Sequence, residues 1–113
     1  MLNKAILMGR LAAGPELRQT ANGVSVTSFR IAVNRTYDRD LTDWIDIVAW
    51  RQAAEFVCKY FQKGDAIIVE GSIQTRNYED KNGNKRTAVE VVADQVHFAE
   101  SRNAQKSSSQ SFP

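Results

Sequence analysis

From Thr42 to Trp50 the chain reads TDWIDIVAW, and its apolar and polar positions alternate. Trp44, Asp46, Val48 and Trp50 share one parity, and Ile45, Ile47 and Ala49 share the other. Side chains two apart on a strand point the same way, so the pattern predicts a strand with aliphatics on one face and both indoles on the opposite face. Val24–Val33 (VSVTSFRIAV) alternates likewise, with Thr27, Phe29, Ile31 and Val33 on one side and Ser28, Arg30, Ala32 and Asn34 on the other. Asn3–Leu11 (NKAILMGRL) is apolar with little interruption, which predicts a strand buried on much of both faces.

Punctuation divides these runs. Gly14-Pro15 breaks regular structure after the first strand, and Asn22-Gly23 predicts a turn into the second. Arg35–Asp43 (RTYDRDLTD) is a polar connection. The period then changes. In Gln52–Lys63, Ala53, Phe56, Val57, Tyr60 and Phe61 form a stripe at helical spacing, with Gly64 placed as the stop. Two further strands, Ala66–Arg76 and Arg86–Phe98, flank a second Asn-Gly turn within Asp80–Lys85, which predicts a long hairpin.

Three strands, a helix and two more strands match the order of the OB-fold, an all-β, five-stranded Greek-key barrel with one helix between its third and fourth strands. Its interior is expected to hold Ile45, Ile47, Ala49, Phe29, Ile31, Ile67, Val69, Val89 and Val91, which leaves Trp44 and Trp50 outside. Residues 1–100 are expected to form this single domain. Residues 101–113, with five serines, are expected to form a flexible tail.

Composition changes this picture little. The length of 113 residues suits one domain, and no apolar run approaches the roughly 20 residues that cross a bilayer. The N-terminus lacks a signal-peptide pattern, and one cysteine permits no intrachain disulfide, so a cytoplasmic protein is expected. The net charge of +2 is too small to argue for nucleic acid, so any such surface must gather its cations locally.

Enzyme chemistry finds no residues. One histidine (His97, expected at the surface) and one cysteine (Cys58, expected to be buried in the helix) make neither a zinc site nor a nucleophile pair. Asp38, Asp40, Asp43 and Asp46 lack the glycine and terminal glutamate of a calcium loop. No phosphate-cradling glycine pattern occurs. Neither a cofactor nor a metal is expected.

The outward aromatics point elsewhere. Trp50 precedes Arg51, Tyr37 lies between Arg35 and Arg39, and Tyr78 follows Arg76 by two residues. A loop or a neighbouring subunit can cover any single ring. Four rings with basic neighbours on an OB-type order favour a surface where bases stack and cations track phosphates, with little sequence preference. Two other readings stay open: an OB module for folded RNA, and an accessory subunit that docks proteins.

The residues also carry a resemblance. MLNKAILMGRLAAGPELRQTANGVSVTSFRIAVNR, WIDIVAWRQAAEFVCKYFQKGD and VEGSIQTRNYEDKNGNKRTAVEVVAD are similar, in order, to bacterial single-stranded DNA-binding proteins over about residues 1–100. The resemblance implies a non-catalytic, nucleoid-associated homotetramer that wraps single-stranded DNA during replication, recombination and repair. It places binding aromatics at Tyr37, Trp44, Trp50 and Tyr78. It places basic contacts at Lys4, Arg18, Arg51, Lys63, Arg76 and Arg86, with Arg35 added. Asp46, on the tryptophan face, opposes phosphate and has no place in that scheme. Family members usually end in an acidic tip, Asp-Ile-Pro-Phe, that recruits replication and repair proteins. Here no acidic residue follows Glu100, so the resemblance does not extend to recruitment.

Overall fold

The structure, a computed structural model, describes residues 1–99, so the tail expected over 101–113 lies outside the described residues. The elements run β1 (Ala5–Leu11), β2 (Arg18–Gln19), β3 (Ser25–Asn34), β4 (Thr42–Trp50), α1 (Arg51–Tyr60), β5 (Ala66–Glu79) and β6 (Lys85–Phe98). The five long strands close into a ring in the order β1-β5-β6-β4-β3, and β3 returns to β1 through Arg10↔Ala32 and Leu11↔Ile31. The β4–β6 seam is parallel, through Ile47↔Val91 and Val48↔Val92, and the other pairings are antiparallel. This closed barrel, with its helix between the third and fourth long strands, is the expected OB-fold. The two-residue β2 pairs with the start of β3 and was not anticipated.

Register explains why the alternation works. Across β3 and β4, Thr27↔Ala49, Phe29↔Ile47 and Ile31↔Ile45 oppose each other on the inner face. Val26↔Trp50, Ser28↔Val48, Arg30↔Asp46 and Ala32↔Trp44 oppose each other outside. Ile31, Ile47, Ala49, Ile67 and Val69 are fully buried, and Ile45 is half-buried against them. The buried Thr27 hydroxyl donates to the Glu16 carbonyl at 2.8 Å, which ties the loop before β2 to the barrel. Close approach at the β1–β3 seam requires glycine, because a Cβ on Gly9 would lie 2.6 Å from the Ala32 carbonyl oxygen.

Four expectations need correction. Val89 has the inner parity but is 61% exposed. It pairs with Thr75 beyond the barrel rim, where β5 and β6 continue as an arm with no strand opposite. In β1, Ile6 and Met8 are exposed, because only one face of that strand meets the barrel. The helix ends at Tyr60 and not at Lys63. Phe61 leaves it in extended geometry to enter the core, and the turn behind it closes through Gln62 N–H to the Asp65 carboxylate (2.8 Å) and Gly64 N–H to the Leu11 carbonyl (2.8 Å). Cys58 is half-buried and carries a free thiol.

The helix buries Ala54 and Val57 against one end of the barrel. Phe61 stacks on Phe98 with centroids 5.0 Å apart, and Phe56 meets both rings edge-on. At the far end of the arm, the Asp80 carboxylate accepts the Asn82 and Asn84 N–H groups at 2.9 Å, and Gly83 takes φ +80°. Asn82-Gly83 is the expected turn.

Candidate nucleic-acid interface

The outer face of β4 is the natural starting point. Trp44 is 59% and Trp50 43% exposed, so neither ring is needed to fill the core. Immediately after Trp50 the chain must turn from strand to helix within one residue. Arg51 makes that turn with φ +58°, the left-handed region that a side chain disfavours. It is the one non-glycine residue with positive φ among the described residues. Backbone strain is thus held where an indole and a cation leave the sheet together.

Two grooves adjoin this face. One, of about 360 Å³, is lined by Arg18, Val26, Val48, Trp50 and Arg76 among others. The second, of about 500 Å³, runs from Ala12–Gly14 over Ser28, Arg30, Asp46, Arg76 and Glu90. Ser28, Arg76 and Glu90 line both, so the two form one furrow across β3, β4 and the base of the arm. Arg18 reaches over it, with Nη2 3.4 Å from Ser28 Oγ.

Along the arm, the Arg76 guanidinium lies 5.3 Å from the centroid of the Tyr78 ring. Tyr78, Lys85 and Arg86 line a further cleft of about 460 Å³ on the arm. Arg86 Nε donates to Asp80 at 3.0 Å, and that bond above all holds the Asp80 carboxyl below its ordinary pKa. Beside β4, Arg35 grips Asp43 through Nε and Nη2 (3.1 and 3.0 Å) and donates from Nη1 to the Tyr37 hydroxyl at 3.0 Å. The bonds to Asp43 lower its pKa, and the bond to Tyr37 holds the hydroxyl tip of a side chain that is 77% exposed.

Among the expected site residues, the structure brings Arg18, Trp50 and Arg76 to one furrow. Trp44 stands farther along the same face of β4, Tyr37 and Arg35 lie in the adjoining loop, and Tyr78 and Arg86 lie on the arm. Lys4 and Lys63 line neither groove. Lys4 Nζ lies 3.5 Å from Glu70, whose other oxygen meets His97 Nε2 at 2.5 Å, and Lys63 sits in the turn after α1. The His97 contact chiefly holds the Glu70 pKa below its ordinary value.

Sequence reasoning missed two members of the furrow. Arg30 and Glu90 line it, yet neither was a candidate. Outward parity marks both, Arg30 in VSVTSFRIAV and Glu90 between Val89 and Val91, but only the β4–β6 seam brings Glu90 into the furrow. Asp46 now has a partner, since Arg30 Nε donates to its Oδ1 at 2.8 Å. The aspartate cluster is divided in the same way. Asp43 serves Arg35, Asp46 serves Arg30, and Asp38 accepts the Asp40 N–H at 3.0 Å within its loop.

With this geometry in view, the comparisons with known proteins agree with one another. The sequence model of the Single-strand binding protein family matches residues 2–99. A Single-stranded DNA-binding protein of Staphylococcus aureus (strain MRSA252) is 48% identical over 109 residues, covering 92% of this chain and 69% of the relative. One from Oceanobacillus iheyensis is 45% identical over 109 residues, covering 93% and 68%. Single-stranded DNA-binding protein 2 of Listeria monocytogenes serovar 1/2a is 44% identical over 108 residues, covering 91% and 67%.

Proposed function

Because the chain belongs to the Single-strand binding protein family, we propose that it binds single-stranded DNA without catalysis and with little sequence preference, protecting it during replication, recombination and repair. One observation carries the reading: two exposed indoles stand on the outer face of β4, beside a furrow lined by Arg18, Arg30 and Arg76. In this scheme Trp44, Trp50, Tyr37 and Tyr78 stack on unpaired bases, each worth about 1–3 kcal/mol. Arg18, Arg35, Arg51, Arg76 and Arg86 contact phosphates. Lys4 and Lys63, away from the furrow, extend the path of a strand that continues around the barrel. A duplex, with its bases already stacked, offers nothing to these rings, and the surface has no helix to place in a major groove.

The working unit in this proposal is a homotetramer of OB domains spanning about residues 1–100, acting in the cytoplasm on nucleoid DNA. Supporting assembly, the outer face of β1 bears the exposed apolar side chains of Ile6 and Met8. These are residues that a second copy would cover. Several furrows on one particle would raise avidity without new types of contact.

The test is titration with a thymine homopolymer while following tryptophan fluorescence, with the assembly mass measured alongside. Stacking quenches the indoles strongly, less so at high salt. Trp44→Ala and Trp50→Ala each weaken binding by about 5- to 150-fold, the equivalent of one lost stack. Quenching of equal size with duplex, or preferential competition by folded RNA, refutes the reading.

A further inference from the structure

Four charged side chains in the furrow form one row across the sheet. Arg30 on β3 is directly opposite Asp46 on β4. Glu90 on β6 lies one step before Val91, just as Asp46 lies one step before Ile47, at the parallel seam where those two residues pair. Arg76 on β5 completes the row, with Nε 3.0 Å from Glu90 Oε1. Arg30 Nε lies 2.8 Å from Asp46 Oδ1. The row therefore reads plus, minus, minus, plus, and all four residues line the same groove of about 500 Å³.

We propose that Asp46 and Glu90 are built-in competitors of the DNA backbone, which hold Arg30 and Arg76 in the free protein and give them up when phosphate arrives. The proposal rests on the single-stranded DNA reading and specifies how that furrow works. Both arginine side chains are well exposed, at 57% and 59%, so each can turn from carboxylate to phosphate without being dragged through a dry interior. The Arg30–Asp46 pair is open on both sides, with the Asp46 side chain 49% exposed, and a pair this open holds weakly; Glu90 is only 15% exposed, so its hold on Arg76 is the tighter of the two. Exchange also alters the salt dependence. Each phosphate neutralised releases a cation from the DNA, but the abandoned carboxylate takes one up. The two displaced pairs therefore contribute almost nothing to the slope, which falls short of the number of basic contacts.

Equilibrium titrations of single-stranded thymine homopolymer over a range of salt concentrations test this. Measured separately, Asp46→Asn and Glu90→Gln each tighten binding at low salt, the former by up to about fivefold, the worth of one exposed pair. Each also steepens the slope of log K against log salt by about 0.7. In an Arg30→Gln background, the gain from Asp46→Asn shrinks towards none, because the carboxylate has no arginine left to hold. Unchanged or weaker binding by both variants overturns the proposal. Weaker binding would mean that the carboxylates orient the arginines for DNA. A gain of the same size with and without Arg30 also overturns it, as a general effect of net charge. If the unsubstituted protein fails to bind, the function reading falls as well; if it binds and the two variants do not differ from it, only this inference falls.

Discussion

Replacing Gly71 by alanine tests how the barrel wall becomes a binding arm. The regular β5–β6 ladder shifts register between Glu70 and Gly71, and beyond that bulge the two strands continue outward to Tyr78 and the Asn82-Gly83 turn. A Cβ at position 71 would run into the Val92 carbonyl oxygen, and would lie 2.9 Å from the carbonyl carbon and 3.1 Å from Ala93 Cα. All three are backbone atoms of the paired strand, so no rotamer change relieves the clash. The strands must separate. Overpacking costs about 1–3 kcal/mol, and each ladder hydrogen bond disturbed adds about 1 kcal/mol. With one such bond disturbed the total is roughly 2–4 kcal/mol, and at about 4–8 °C per kcal/mol for a domain of this size the melting temperature falls by roughly 8–30 °C. Thermal unfolding followed by circular dichroism at one fixed protein concentration measures it, with Gly14→Ala as control. Nothing lies within 4 Å of a Cβ at Gly14 and its φ is not positive, so that change is neutral or stabilising by up to about 1 kcal/mol. A Gly71→Ala protein melting within about 3 °C of the parent would refute the argument. Below its lowered melting point the variant should also bind DNA less tightly, because the bulge aims the arm that carries Arg76 and Tyr78.

Arg51→Gly separates backbone from charge at the strand-to-helix junction. Release of the left-handed strain, about 1–2 kcal/mol, outweighs or balances the entropy cost of glycine, so stability holds or rises while DNA affinity falls. A clear drop in the melting temperature would contradict this account. The pH dependence follows from Glu70, Asp43 and Asp80, whose pKa values are lowered chiefly by hydrogen bonds from His97, Arg35 and Arg86 respectively. A carboxyl with a depressed folded pKa contributes stability above its unfolded value and loses it as pH falls through the folded one. Their combined contribution is therefore intact at neutral pH and is lost below about pH 4. Urea midpoints measured against pH should show that acid loss reduced in Asp43→Asn, and an undiminished loss would count against the Arg35 pair as its source.

Much of this protein is legible in short stretches of sequence. The alternation in VSVTSFRIAV and TDWIDIVAW places Ile31 and Ile47 inside and both tryptophans outside, because side-chain direction on a strand depends only on parity. Asn82-Gly83 marks its hairpin because the turn needs a positive φ that glycine accepts freely. The aromatics with basic neighbours are visible for the same local reason. Burial and partnership are not local. Val89 has the right parity for the core and misses it, since the strand outruns the barrel. Phe61 ends the helix before Gly64 because the core draws it in. Asp46 is unexplained within its own strand, because its partner lies 16 residues away and is brought opposite by the β3–β4 register. The sequence by itself determined which way each strand side chain points and where the chain turns. Only the closed barrel decided which of those side chains are covered and which charges meet, because pairing between distant strands follows from how all five fit around one core.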